Sequence, residues 1–187
     1  MSAISTANEI IELFTIHGGA EYAGEKVSQL EHMYQAAQLA ETQGYDDEVI
    51  LAAFLHDIGH LYSAEKQMDG FGTVDHEEVG ASYLLTKGFS ERLVRLVQSH
   101  VEAKRYLTWK RPDYYAQLSE ASKKTLEYQG GRMDAAEAKA FEEDPMFDLM
   151  VQMRLWDDEA KIQNLPVGNL ESIKEKIIKH LEAQQKK

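Results

Sequence analysis

The chain has 187 residues, 43% of them hydrophobic and 28% charged, which fits one folded domain and argues against disorder. With 20 basic and 32 acidic residues the formal charge is −12, the wrong sign for a free nucleic-acid binder. There is no cysteine, which excludes disulfides, thiolate metal ligands and cysteine nucleophiles together.

Met1 to Phe14 has no basic region and no cleavage pattern, so no secretory signal is expected and the reading is a cytoplasmic protein. Val27, Leu30, Ala37 and Ala40 then form an apolar stripe at helical spacing. Asp46-Asp47 signals a helix start before the apolar run Val49 to Leu55. That run is far short of the roughly 18 residues a membrane span needs. Ser90 before Glu91 opens a helix striped by Leu93, Leu96, Val97 and Val101. Asp134 and Asp144-Pro145 read as further helix entries, the second leading into a core stripe of Met146, Leu149, Met150 and Met153. Leu170, Ile173, Ile177 and Leu181 stripe the last helix. Glycines gather between helices, at Gly18-Gly19, Gly70 and Gly72, and Gly130-Gly131, and no segment shows sustained alternation with β-branched enrichment. The expectation is an all-α chain forming a single domain over 1–187, its C-terminal helix at about 168–183.

The seven histidines carry the chemical argument. His17, in a glycine-rich turn, and His180, in the terminal helix, read as ordinary structural residues. His32, His56, His76 and His100 are different, because each lies in amphipathic helical surroundings and one bland explanation would have to hold four times over. His56 and His60 are four residues apart, and at about 100° per residue they share a helix face. Asp57 follows an apolar run that must be buried, and a metal ion is a common way to compensate a buried carboxylate.

The order His32, then His56-Asp57, then a distant Asp157 resembles the H…HD…D metal pattern of HD-domain proteins, which implies an HD-type helical bundle with its metal-binding core over about 21–161. His76 and His100 fall between, where the two-metal members of that superfamily carry a second pair of histidines. The resemblance implies one ion held by His32, His56, Asp57 and Asp157, and another by Asp57, His76 and His100. Most HD proteins are phosphohydrolases, and that activity stands as the alternative. The match is closer to the phosphonate-cleaving HD oxygenases, which resemble myo-inositol oxygenase. It is carried by Tyr22-Ala23-Gly24-Glu25, Gln29-Leu30-Glu31-His32, His56-Asp57-Ile58-Gly59-His60, His100-Val101-Glu102-Ala103-Lys104-Arg105-Tyr106-Leu107, the stretch Ala121 to Gly131, and Arg154-Leu155-Trp156-Asp157. It implies a mixed-valent Fe(II)/Fe(III) pair that uses O₂ to break the carbon–phosphorus bond of a small-molecule 1-hydroxyphosphonate.

Tyr22, Glu25, Gln29 and His32 fall at i, i+3, i+7 and i+10, one helical stripe that faces either a cavity or solvent. By resemblance, Tyr22 and Glu25 form a lid over the open metal position. Lys104 lies one turn after His100, and Arg154 three residues before Asp157. Two cations beside a metal centre call for an anion between them, which a phosphonyl group supplies, unless both simply pair with carboxylates of this acidic chain. Ser122, Thr125 and Gln129 share a further stripe, and the resemblance makes them, with His60, the polar wall around the phosphonate. The group's substrates carry an amino or trimethylammonio group on C2. Glu25 suits a primary ammonium, whereas Tyr22, Tyr62, Phe71 and Tyr106 offer a cage for a quaternary one. The segment 61–75 tips the expectation slightly to the trimethylated substrate, with glycine betaine as product. A structural or vestigial metal site in a binding module is a third reading. Trp156 is expected to be core.

Overall fold

The computed structural model describes residues 2–22, 24–62 and 75–186. Eleven helices occupy the described residues: α1 (Ala3–His17), α2 (Gln29–Thr42), α3 (Asp47–Leu55), α4 (Ile58–Tyr62), α5 (His76–Thr86), α6 (Glu91–Lys110), α7 (Pro112–Gln117), α8 (Glu120–Tyr128), α9 (Ala135–Glu142), α10 (Phe147–Glu159) and α11 (Leu170–Gln184). They contain no strand, only an isolated bridge between Glu21 and Ser28 that closes the loop from α1 to α2. The all-α expectation holds.

The helix starts are fixed by side chains. Asp46 accepts from the Val49 N–H and Ser90 from the Leu93 N–H. Ser28 with Glu31, and Asp134 with Glu137, form reciprocal capping boxes. Such caps contribute about 1 kcal/mol each by satisfying donors the helix leaves open. The entry expected at Asp144-Pro145 lies two residues later. There the Asp144 carboxylate accepts from the Met146 N–H, and α10 begins at Phe147.

Every residue from Val49 to Leu55 is buried, so α3 is the central rod of the bundle. Helices α2, α6, α10 and α11 surround it. Their buried faces follow the expected stripes in most positions: Ala37 and Ala40 on α2, Leu93, Leu96, Val97 and Val101 on α6, Met150 and Met153 on α10, and Ile173, Ile177 and Leu181 on α11 are buried, Leu30, Met146, Leu149 and Leu170 are partly buried, and Val27 is buried just before α2 begins. Trp156 is fully buried and donates its indole N–H to Gln43, so it is core as expected.

Two local expectations are corrected. The helix does not run unbroken through His56 and His60. It stops at Leu55, turns at His56-Asp57 and restarts as α4. At this break the two side chains meet, with His56 Nε2 3.4 Å from Asp57 Oδ2. The restarted helix packs backbone to backbone on α5: a Cβ on Gly59 would lie 1.9 Å from the His76 carbonyl oxygen. Likewise Tyr22 and Glu25 do not sit on a helix with Gln29 and His32. They lie in the loop before α2, which is held by bonds from the Tyr22 N–H to the Val27 carbonyl and from the Glu25 N–H to the Tyr22 carbonyl. The capping box at Ser28 fixes where that helix begins, so the spacing found the right neighbours through the wrong backbone.

Candidate metal centre

Asp57 is buried at the centre of the bundle and, within the described residues, neither of its oxygens accepts a hydrogen bond. Four imidazoles surround it. Its Oδ2 lies 3.4 Å from His56 Nε2 and 3.6 Å from His32 Nε2, and its Oδ1 lies 3.1 Å from His76 Nε2 and 3.3 Å from His100 Nε2. Asp157 Oδ1 approaches His32 Nε2 at 3.4 Å. Ligand atoms about 3.0–3.4 Å apart are what bonds of about 2.1 Å to one ion produce, the lower figure for octahedral and the upper for tetrahedral geometry.

The backbone sets the tautomers. Nδ1 of His32, His56 and His100 lies 2.9, 2.8 and 2.7 Å from the carbonyls of Ala160, Ala53 and Val97. A carbonyl only accepts, so these Nδ1 atoms carry the hydrogens and each neutral ring presents an Nε2 lone pair. The lone pairs of His32 and His56 then face each other across 3.1 Å, and that of His100 faces His76 Nε2 at 3.0 Å. Facing lone pairs around a carboxylate without donors repel one another unless cations stand between them. The donor set therefore fits two ions. One trio is His32, His56 and Asp57 Oδ2, with Asp157 alongside. The other is Asp57 Oδ1, His76 and His100. Among the described residues three protein ligands reach the second position, fewer than a closed site needs, so a substrate or solvent could complete it. Histidine and carboxylate donors alone suit iron, manganese, cobalt or zinc.

The ionisation of the surrounding groups follows. Burial opposes charge on Asp57 and Asp157, yet His56 near the first and Arg154 near the second hold both carboxyls well below the usual range. Burial likewise opposes charging His32, but Asp157 and Asp57 outweigh it and raise its pKa to about 9, so a cation at Nε2 would take the place of a proton that the two carboxylates otherwise hold there. Burial, with help from the charge of His76, keeps His60 neutral, and its ring stacks on His76 at 4.0 Å. Burial and the nearby Asp57 and Asp157 push the Tyr22 hydroxyl up, and the ring lies flat on His32 at 4.0 Å.

One cavity opens onto the Asp57, His76 and His100 side. It is lined by all eight residues expected to bind or cover a substrate: Tyr22, Glu25, His60, Lys104, Ser122, Thr125, Gln129 and Arg154. The two cations differ. Arg154 is already engaged, donating to Asp157 at 2.6 Å, to Asp158 and to the Tyr114 hydroxyl at 2.9 Å. Among the described residues Lys104 has no such carboxylate partner, and it donates to the Thr125 hydroxyl at 2.6 Å and the Gln129 carbonyl at 2.9 Å. Burial, together with the charge of Arg154, lowers its pKa to about 7. A buried ammonium held only by neutral acceptors is a receptor for an anion.

The HD-domain family model matches residues 30–141, which include five of the histidines and Asp57. The chain belongs to the HD-domain family. A [1-hydroxy-2-(trimethylamino)ethyl]phosphonate dioxygenase (glycine-betaine-forming) of Leisingera caerulea is 42% identical over 80% of this chain and 76% of its own length. A hydroxymethylphosphonate dioxygenase of Gimesia maris is 42% identical over 87% of this chain and 81% of its own. An uncharacterised protein of Acanthamoeba polyphaga mimivirus is 41% identical over 95% and 83%. The resemblance to the phosphonate-cleaving oxygenases of the HD family is borne out by the first two. No helix among the described residues is long and apolar enough to cross a membrane.

In this HD-domain protein, the HD pair is His56-Asp57 at the break between α3 and α4. The aromatic cage does not assemble as expected. Tyr106 turns to the far side of α6, where its hydroxyl donates to Glu142, and Tyr62 is exposed against Tyr83. Tyr106 is two residues beyond Lys104, about 200° around the helix, so it cannot share the lysine's face. Phe71 lies outside the described residues, and of the other three Tyr22 alone lines the cavity. Sequence reasoning missed Lys161. It follows α10 directly and places Nζ 3.0 Å from Glu25 and 3.4 Å from the Ser122 hydroxyl. Its spacing of four from Asp157, the same interval as Lys104 from His100, was the available signal.

Proposed function

We propose that this protein is a di-iron HD oxygenase that takes up O₂ and cleaves the carbon–phosphorus bond of a 1-hydroxyphosphonate. The observation that carries this reading is Asp57, set without a hydrogen-bond donor between two imidazole pairs and opening onto a cavity that holds the buried ammonium of Lys104. The two dioxygenase relatives favour oxygenation over the phosphohydrolase alternative.

Bound iron would supply the one-electron chemistry that O₂ requires and a template for the anion. His32, His56, Asp57 and Asp157 would hold one ion, and Asp57, His76 and His100 the other. Lys104 receives phosphonate oxygens, and Thr125 and Gln129 fix the direction of its N–H bonds. Ser122 extends that wall. Arg154 lends positive charge while its guanidinium stays anchored on Asp157 and Asp158, so it is less a chelator of the anion than the sequence suggested. Tyr22 and Glu25 cover the metal side of the cavity and keep water from it. The reaction balances without an outside reductant: substrate and O₂ give one carboxylate and one phosphate, with both new oxygens from O₂ or solvent and all electrons from the C–P and C–H bonds.

The trimethylated substrate rested on segment 61–75, most of which lies outside the described residues, and on a cage that Tyr62 and Tyr106 do not join. The two named relatives act on hydroxyphosphonates with and without a quaternary ammonium, so the reading proposed is the hydroxyphosphonate class. Protein loaded anaerobically with iron should consume about one O₂ for each phosphate released from a hydroxyphosphonate. Phosphate release from phosphate esters without O₂ uptake would replace this reading with the hydrolase, and folded protein that turns over neither would replace it with a structural metal site.

A further inference from the structure

Lys161 is a cation on a rigid base. The residue before it, Ala160, gives its carbonyl to His32 Nδ1 at 2.9 Å, and the residue after it, Ile162, exchanges two bonds of 2.9 Å with the Gln35 amide. Its backbone is thus tied at both sides to α2, the helix that carries a metal-ligating histidine candidate. The side chain is mostly buried and pairs with Glu25, itself mostly buried, across the cavity mouth. Its ammonium also sits 5.9 Å from the centre of the Tyr22 ring. Glu25 is therefore not an open carboxylate awaiting a ligand. Its charge is already matched within the pocket wall.

A substrate held by its phosphonate at Lys104 would have its other end in the same cavity, whose wall carries that pair. An ammonium there would meet one negative and one positive charge at similar range, and the two nearly cancel. We propose that Lys161 determines specificity: by neutralising Glu25, it makes the pocket favour a hydroxyphosphonate with no cationic substituent over one that carries an amine. This rests on the hydroxyphosphonate reading above.

The test is calorimetric titration of metal-loaded protein without O₂, using hydroxymethylphosphonate and 2-amino-1-hydroxyethylphosphonate, so that binding is read without turnover. The native chain should bind hydroxymethylphosphonate about tenfold more tightly, and Lys161→Met should shift the ratio about tenfold toward the amine. Lys161→Gln, which keeps a polar head, should give the same shift should the Met variant fail to fold. In a Glu25→Gln background the Lys161 substitution should no longer move the ratio. An unchanged ratio, or an equal loss for both ligands such as a second phosphonate-binding cation would give, overturns the proposal. Binding of neither ligand to any of these proteins overturns the hydroxyphosphonate reading and this inference with it.

Discussion

At the scale of single residues, charge placement separates the side chains that hold metal from those that hold the anion. Asp57→Asn keeps the shape of the side chain and removes the charge shared by both trios. Elemental analysis of that variant should find both metal equivalents lost. Lys104 behaves oppositely. Lys104→Ala should leave metal content intact and weaken phosphonate binding roughly 10- to 100-fold, the value of a hydrogen bond from a charged donor. Its ammonium is held at about 7, below the usual lysine value, first by burial. Protonated below that pH and neutral above it, Lys104 should make phosphonate affinity fall as pH rises through about 7. In Lys104→Arg, whose guanidinium keeps its proton, titration across that range should be flat.

At the scale of elements, the positions of the ligands depend on where helices stop. Stripes and caps were legible because periodicity and N-cap chemistry are local: Asp46, Ser90 and Asp134 mark their helices in the sequence as they do in the structure. The break at His56-Asp57 was not, because it accompanies the packing of α4 on α5, a contact between helices that periodicity within one segment does not report. Gly59 permits that packing, and Gly59→Ala should push α5 and its first residue, His76, away from Asp57. Overpacking of this kind costs about 1–3 kcal/mol. The variant should melt earlier and, once folded, lose the His76–His100 metal equivalent while keeping the other. The loop holding Tyr22 and Glu25 was misread for a related reason: a stripe in sequence does not say whether a helix or a tethered loop presents it.

At the scale of the whole molecule, six candidate ligands spread from residue 32 to residue 157 converge beside the central rod α3, so metal binding and folding are linked. Their order along the chain was readable. That Arg154 pairs with carboxylates stood among the sequence readings, but which carboxylates it takes, and the place of Lys161, were not legible, since ion pairing is settled only when the wall of the cavity closes. Ligand occupancy at 100 times Kd adds about 2.7 kcal/mol per site, and in a chain of this size each kcal/mol raises Tm by about 2–4 °C. Chelation should therefore lower Tm by about 5–10 °C for each ion lost. The most direct measurement is metal stoichiometry across a short variant set. Native protein should bind two equivalents, His76→Ala and His56→Ala about one each, and Asp57→Asn none. Two equivalents retained by Asp57→Asn would contradict a shared carboxylate at the centre of the site.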